Sequence, residues 1–276
     1  MKTIIVPTDF SIASVHAAQY AADMALHLHV DLKLVHVLPL PVTIADVPIP
    51  YNNHEIGMED AQRSIDDLKT QLCERVSDNI SITTFVLEGT FEVQLATMLK
   101  EPDEFLVVMG TTGAGATEAL LLGSYTLNAA SKLTCPLIIV PPDVYFKEVK
   151  KIGFACDMKN VTETVPFKSI KTMVESFNAS LEVLYVSKPD ENMYPEVLAE
   201  TKFIQIHLAG LNPALKIATS ADISEGLAEF VKKSDIDLLL LIPKERNFVE
   251  RIFHKSITKN MILHPKVPMM ILHEKM

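Results

Sequence analysis

Residues 110–124 read GTTGAGATEALLLGS, so that Gly110, Gly113 and Gly123 are spaced along one segment that closes on Ser124. The apolar run just before it, Phe105-Leu106-Val107-Val108-Met109, has the length and composition of a buried strand. Residues 125–134 can form a helix, and Pro136-Leu137-Ile138-Ile139-Val140 supplies the next strand. The glycines therefore lie where a strand hands over to a helix. Glycine there permits positive φ and lets a ligand approach the backbone closely. Ser124 can cap the helix, and the free amides of a helix start favour an anion. The implied chemistry is a phosphate cradle. The plainer alternative is a glycine-rich surface turn that binds nothing.

The elements that would position this segment occur twice. Ile4-Ile5-Val6-Pro7-Thr8-Asp9 lines up with Ile152-Gly153-Phe154-Ala155-Cys156-Asp157, an offset of 148. Leu34-Val35-His36-Val37 lines up with Val183-Leu184-Tyr185-Val186 at 149, and Leu106-Val107-Val108-Met109 with Leu238-Leu239-Leu240-Leu241 at 132. The fall from 149 to 132 places roughly 17 extra residues in the first half, at Pro39–Ile56. The prolines and asparagines of that insertion predict a loop, not a helix, and a loop of that length is a candidate lid. The pattern predicts strands over 3–8, 31–38, 81–87, 104–109 and 136–140, with helices over 12–28, 58–77, 91–101 and 124–134. In the second half it predicts strands over 151–156, 180–186, 214–219, 236–242 and 267–272, with helices over 163–177, 191–207, 222–233 and 248–262. Apolar strands separated by helices imply an α/β fold: a parallel sheet covered on both faces and doubly wound by right-handed crossovers. Ligands of such sheets sit beyond the carboxyl ends of the strands, at the switch point.

A first strand ending in Pro7-Thr8-Asp9, followed late by the spaced glycines and Ser124, resembles the universal stress protein family. The resemblance covers the whole chain as two copies, residues 1–142 with the motif intact and 150–276 degenerate. It implies two tandem Rossmann-like sheets of strand order 3-2-1-4-5, which bring Asp9 and Gly110 to one crevice. It also implies that Asp9 and the backbone at Val37 hold an adenosine, with Pro7 and Thr8 lining the crevice. The phosphate contacts it implies are Gly110, Thr112, Gly113, Gly123 and Ser124, flanked by Met109 and Tyr125. The implied ligand is ATP, or AMP or ADP, with Mg as a candidate counter-ion.

One departure bears on that ligand. Many family members carry a cation after the first glycine, whereas residues 111–122 contain none and include Glu118. Binding would rest on amides, hydroxyls and a metal ion, which makes a nucleotide with fewer phosphates a real alternative. For Asp9 the structural alternative is to cap the helix at 12–28, a task Ser11 can equally perform.

In the second half Ile242, Glu245 and Lys255 stand at the places of Gly110, Gly113 and Gly123. A Cβ at each obstructs the backbone, and Glu245 repels phosphate. Asp157 persists, and alone it is expected to be a helix cap. His36, in a predicted buried strand, is expected to be a hydrogen-bonded core residue. No Walker loop, nucleophile elbow or zinc motif is present, so no catalytic set is identified and slow ATP hydrolysis is the most that is expected.

Composition narrows the partners. A net charge of −10 without a Lys/Arg-rich run argues against nucleic acid or an anionic membrane. Hydrophobic residues at 48% over 276 residues suffice for two cores. Cys73, Cys135 and Cys156 form no paired motif and fit a reducing compartment. The apolar start of the chain is too short for a signal peptide, so a cytoplasmic protein is expected. The expectation is a stress-response factor that binds adenine nucleotide through its first half and an unidentified protein partner. Its two halves would meet along residues 136–140 and 267–272 as an internal pseudo-dimer, with a homodimer as a further possibility. A nucleotide-free interaction module is the rival.

Overall fold

The computed structural model describes residues 2–40, 52–100, 104–111, 125–126, 129–130, 133, 135–189, 195–243 and 267–273. They belong to two compact units, Met1–Thr112 and Gly113–Met276.

The first unit contains β1 (Thr3–Pro7), α1 (Ile12–Leu28), β2 (Asp31–Leu38), α2 (Asn52–Val76), β3 (Ile82–Glu88), α3 (Phe91–Met98) and β4 (Glu104–Gly110). β1 runs parallel to β2 on one side and β4 on the other, and β3 joins β2, giving the order β3-β2-β1-β4. Every residue of β1 is buried, as expected for a central strand covered on both faces. The chain steps from β1 outward to β3 and then returns to β4. With right-handed crossovers, that reversal places α1 and α2 on one face and α3 on the other. α1 begins at Ser11, whose hydroxyl accepts from the Ser14 amide, and ends at His29 in the left-handed region (φ 53°). Its buried side is Ala17, Ala18, Tyr20, Ala21, Ala22, Met24 and Ala25. These mostly small residues let the helix lie close to the sheet.

The second unit contains β5 (Leu137–Val140), β6 (Lys151–Ala155), α4 (Val161–Thr164), α5 (Phe167–Ser176), β7 (Ser180–Ser187), α6 (Pro195–His207) and a 3-10 turn (Ala209–Leu211). It continues with β8 (Ala214–Thr219), α7 (Ile223–Lys233), β9 (Leu238–Leu241) and β10 (Met269–Ile271). Strands β10-β9-β6-β7-β8 are parallel, which is the implied order 3-2-1-4-5 read from its far end. β5 pairs antiparallel with β10, Ile139 opposite Met269 and Leu137 opposite Ile271. The last strands of the two repeats therefore meet, as their apolar character suggested, and all residues of both are buried.

Most elements fall within a few residues of the sequence expectation, and two helices differ from it in kind. The helix expected over 163–177 is two pieces. Val165 is extended (φ −91°, ψ 118°), as the residue before a proline prefers, and Pro166 starts the second piece. The helix expected from 58 begins at Asn52, so residues 52–56 of the insertion are helical instead of loop. Residues 41–51, and the lid expectation with them, lie outside the described residues. So does most of the helix expected over 124–134 and all of that over 248–262. Among the described residues no helix is long and apolar enough to cross a membrane.

Candidate functional site

β1 is the switch strand of the first unit, and three of its sequence-predicted residues lie at its carboxyl end. Pro7 and Thr8 are buried and Asp9 is exposed. On one side β2 carries half-buried Val37, two residues past the Val35 that pairs with Pro7. On the other side β4 ends at buried Met109 and half-buried Gly110. The fold thus brings Pro7, Thr8, Asp9, Val37, Met109 and Gly110 to one edge of one sheet. Thr112, Gly113, Gly123 and Ser124 lie outside the described residues. Tyr125 falls in the second compact unit, where it is exposed.

The turn after β1 is tightly tied. The Thr8 amide donates to the Val35 carbonyl at 2.8 Å. The Thr8 hydroxyl accepts from the Phe10 amide at 3.0 Å and bonds the Ser14 hydroxyl at 3.0 Å. The Asp9 carboxylate accepts from the Ser11 amide at 3.1 Å. Ser11, not Asp9, is therefore the cap of α1. Partial burial acts to raise the Asp9 pKa, but hydrogen bonds from Ser11 and Ser14 outweigh it and hold the carboxyl below its ordinary value. The result is an exposed, fixed anionic acceptor at the switch point.

Phe10 holds φ at 61°, a strained conformation for an aromatic residue. Its ring stacks on His36, with centroids 4.6 Å apart. His36 Nδ1 donates to the Thr8 carbonyl at 2.7 Å. The expected hydrogen bond of His36 is present, but the residue is half-buried and stacks on Phe10 instead of lying in the core. Sequence reasoning placed neither Phe10 nor Thr111 in the site. Thr111 is 1% exposed, and its hydroxyl has no hydrogen-bond partner among the described residues. The only available signal was its place directly after a strand that ends in glycine.

Gly110 has a structural duty of its own. A Cβ there would meet the backbone of Ala13, its carbonyl carbon at 2.9 Å, so the glycine lets α1 close onto β4. Its φ is not in the left-handed region, so the turn freedom expected of it is not used. This glycine by itself therefore does not establish a cradle.

The second half repeats the turn and closes it. The Cys156 amide donates to the Leu184 carbonyl at 2.9 Å, Asp157 accepts from the Lys159 amide at 3.1 Å, and Met158 has φ 53°. Asp157 is not the expected cap: Asn160 holds that place before α4. Met158 is only 4% exposed, with the Thr201 hydroxyl of α6 at 3.9 Å from its sulfur. Glu200, also on α6, accepts from the Val161 amide at 2.9 Å. Ile242 stands buried at the place of Gly110.

Residues 1–141 match the family described as the universal stress protein family. Among curated relatives, universal stress protein MJ0531 of Methanocaldococcus jannaschii is 26% identical over 144 residues, covering 50% of this chain and 81% of that one. Universal stress protein Rv2624c of Mycobacterium tuberculosis is 27% identical over 140 residues, covering 51% of this chain and 48% of its own length. In fold, the chain is similar to a crystal structure of a universal stress protein from Archaeoglobus fulgidus. The TM-score is 0.70 at 17% identity, over 99% of this chain and 96% of that one.

Proposed function

This chain belongs to the universal stress protein family, and from that premise we propose that it binds ATP or a related adenine nucleotide in its first half. The observation that carries this reading is the exposed carboxylate of Asp9, fixed by Ser11 at the carboxyl end of the switch strand. Asp9 would accept from the ribose hydroxyls, and the backbone at Val37 would hold the base. Thr112, Gly113, Gly123 and Ser124 would offer amides and hydroxyls to the phosphates, with Met109 and Tyr125 flanking. Thr111, a buried hydroxyl with an unused bonding capacity, fits a crevice completed by a polar ligand. Lacking a cation in residues 111–122, the loop would need Mg to carry a triphosphate.

The protein would act as a nucleotide-responsive regulatory factor in the cytoplasm, with hydrolysis slow at most. Residues 1–142 and 150–276 would be two copies joined as an internal pseudo-dimer through β5 and β10, and only the first would bind. A second reading, a nucleotide-free interaction module, is favoured by one observation: Ala13 already accounts for Gly110. Absorbance and mass spectrometry of the denatured purified protein, with calorimetric titration of ATP, ADP and AMP, separate the two. Co-purified or titrated adenine nucleotide at one site per chain is expected. No bound nucleotide and no titration heat would leave the interaction module.

A further inference from the structure

We infer that His36 is a positioning residue of the proposed nucleotide site, clamping the Asp9 turn to the end of β2 so that the two stay in register; the inference rests on that nucleotide reading. Two contacts and one chain neighbour meet at it. Its Nδ1 donates to the Thr8 carbonyl, its ring stacks on Phe10, and its own backbone adjoins Val37. Thr8 and Phe10 are the two neighbours of Asp9 in the chain. One side chain on β2 therefore holds both sides of the residue meant for the sugar, while its backbone leads into the residue meant for the base.

The turn needs such a clamp. An aromatic residue with φ at 61° is held only where its surroundings over-determine it. In the second half the same left-handed conformation recurs at Met158, where burial beneath α6 and the Thr201 contact hold it. In the first half Phe10 is half-buried and Asp9 exposed. The lock comes instead from the side, through His36, and Asp9 stays exposed.

The bond to a carbonyl also dictates a proton position. A neutral His36 that donates from Nδ1 carries its proton there, leaving Nε2 as an acceptor facing away from Thr8. Asn places a donor where Nδ1 stands, Gln places one where Nε2 stands, and Phe keeps the stack without a donor.

The test uses the full chain. Long-range 1H–15N spectra at neutral pH should report the Nδ1-protonated tautomer for His36. Titration with ATP and with AMP should show affinity reduced about tenfold in His36→Phe and His36→Gln, the worth of one lost hydrogen bond, and largely restored in His36→Asn. Amide exchange at Phe10 and Ser11 should quicken in His36→Phe and His36→Gln, and the melting temperature should fall by no more than the few degrees that one hydrogen bond is worth. An Nε2-protonated His36, equal affinity in His36→Phe, or the same loss in His36→Asn as in His36→Phe would overturn the clamp. If the parent chain binds neither ATP nor AMP, the nucleotide reading fails separately, and unchanged exchange at Phe10 in His36→Phe would then overturn the clamp on its own.

Discussion

Met158 stands in the second repeat where Phe10 stands in the first. Both follow a first strand and an aspartate, and both are left-handed, at φ 53° and 61°. Met158 is buried beneath Thr201 of α6, whereas Phe10 is half-buried beside an exposed Asp9. The same backbone device has been kept in both halves and closed over in one.

That asymmetry predicts a stoichiometry of one adenine nucleotide per chain. Asp9→Ala should weaken binding by about tenfold or more, since it removes a charged hydrogen-bond acceptor. Asp157→Ala should leave binding unchanged. Calorimetry with two equivalent sites, or equal effects of the two substitutions, would contradict the asymmetry.

Gly110→Ala should destabilise the fold even without ligand. Its Cβ would press on the Ala13 backbone, an overpacking that costs roughly 1–3 kcal/mol. Chemical denaturation of nucleotide-free protein measures it. Unaltered stability combined with lost nucleotide affinity would instead assign this glycine to ligand approach alone.

Ile139→Pro should disrupt the pairing of β5 with β10, since proline removes a backbone donor from a fully buried strand opposite Met269. A loss of about 2 kcal/mol or more and a larger radius in solution scattering are expected. An unchanged melting temperature with unchanged compactness would mean that this strand pair is dispensable.

His273 should make the protein acid-sensitive. Burial pushes its pKa below the ordinary value of 6.5, against the opposing hydrogen bond to the Ala130 carbonyl at 2.9 Å. Its Nδ1 is buried without a partner among the described residues, so a second ring proton has no acceptor there. The unfolded chain then takes up a proton at a higher pH than the folded one. Stability from this group is intact above pH 6.5 and falls as pH drops from there towards the lower folded value. His273→Gln should flatten that fall. Parallel unfolding curves for parent and variant at every pH from neutral downward would show that His273 is not the source.

Much of the fold was legible in the order of the residues. Hydrophobic period and breakers placed α1, β2 and β8 at their observed limits, and Val/Leu-rich runs marked strands in both halves of the chain. Such signals are local, because a strand or helix must present its apolar side chains at the spacing of its own backbone. The same local chemistry ended the expected helix at Pro166. It misled at Asn52, where the polar character of the insertion masked the first turn of α2. Of the candidate site, the residue types at the ends of β1, β2 and β4 were legible, and the strand order that brings those ends together came from the family resemblance, not from periodicity.

What the sequence alone determined was therefore the alternating α/β architecture and the recurrence of its strand pattern along the chain. Tertiary structure decided the rest. It set His36 against Thr8 and Phe10, put the Ala13 backbone where a side chain of Gly110 would stand, and laid α6 over Met158. None of these has a spacing signature, because each joins residues far apart in the chain. Whether they touch depends on which strands become neighbours and how closely a helix settles on the sheet, and that is fixed by the packing of the whole unit.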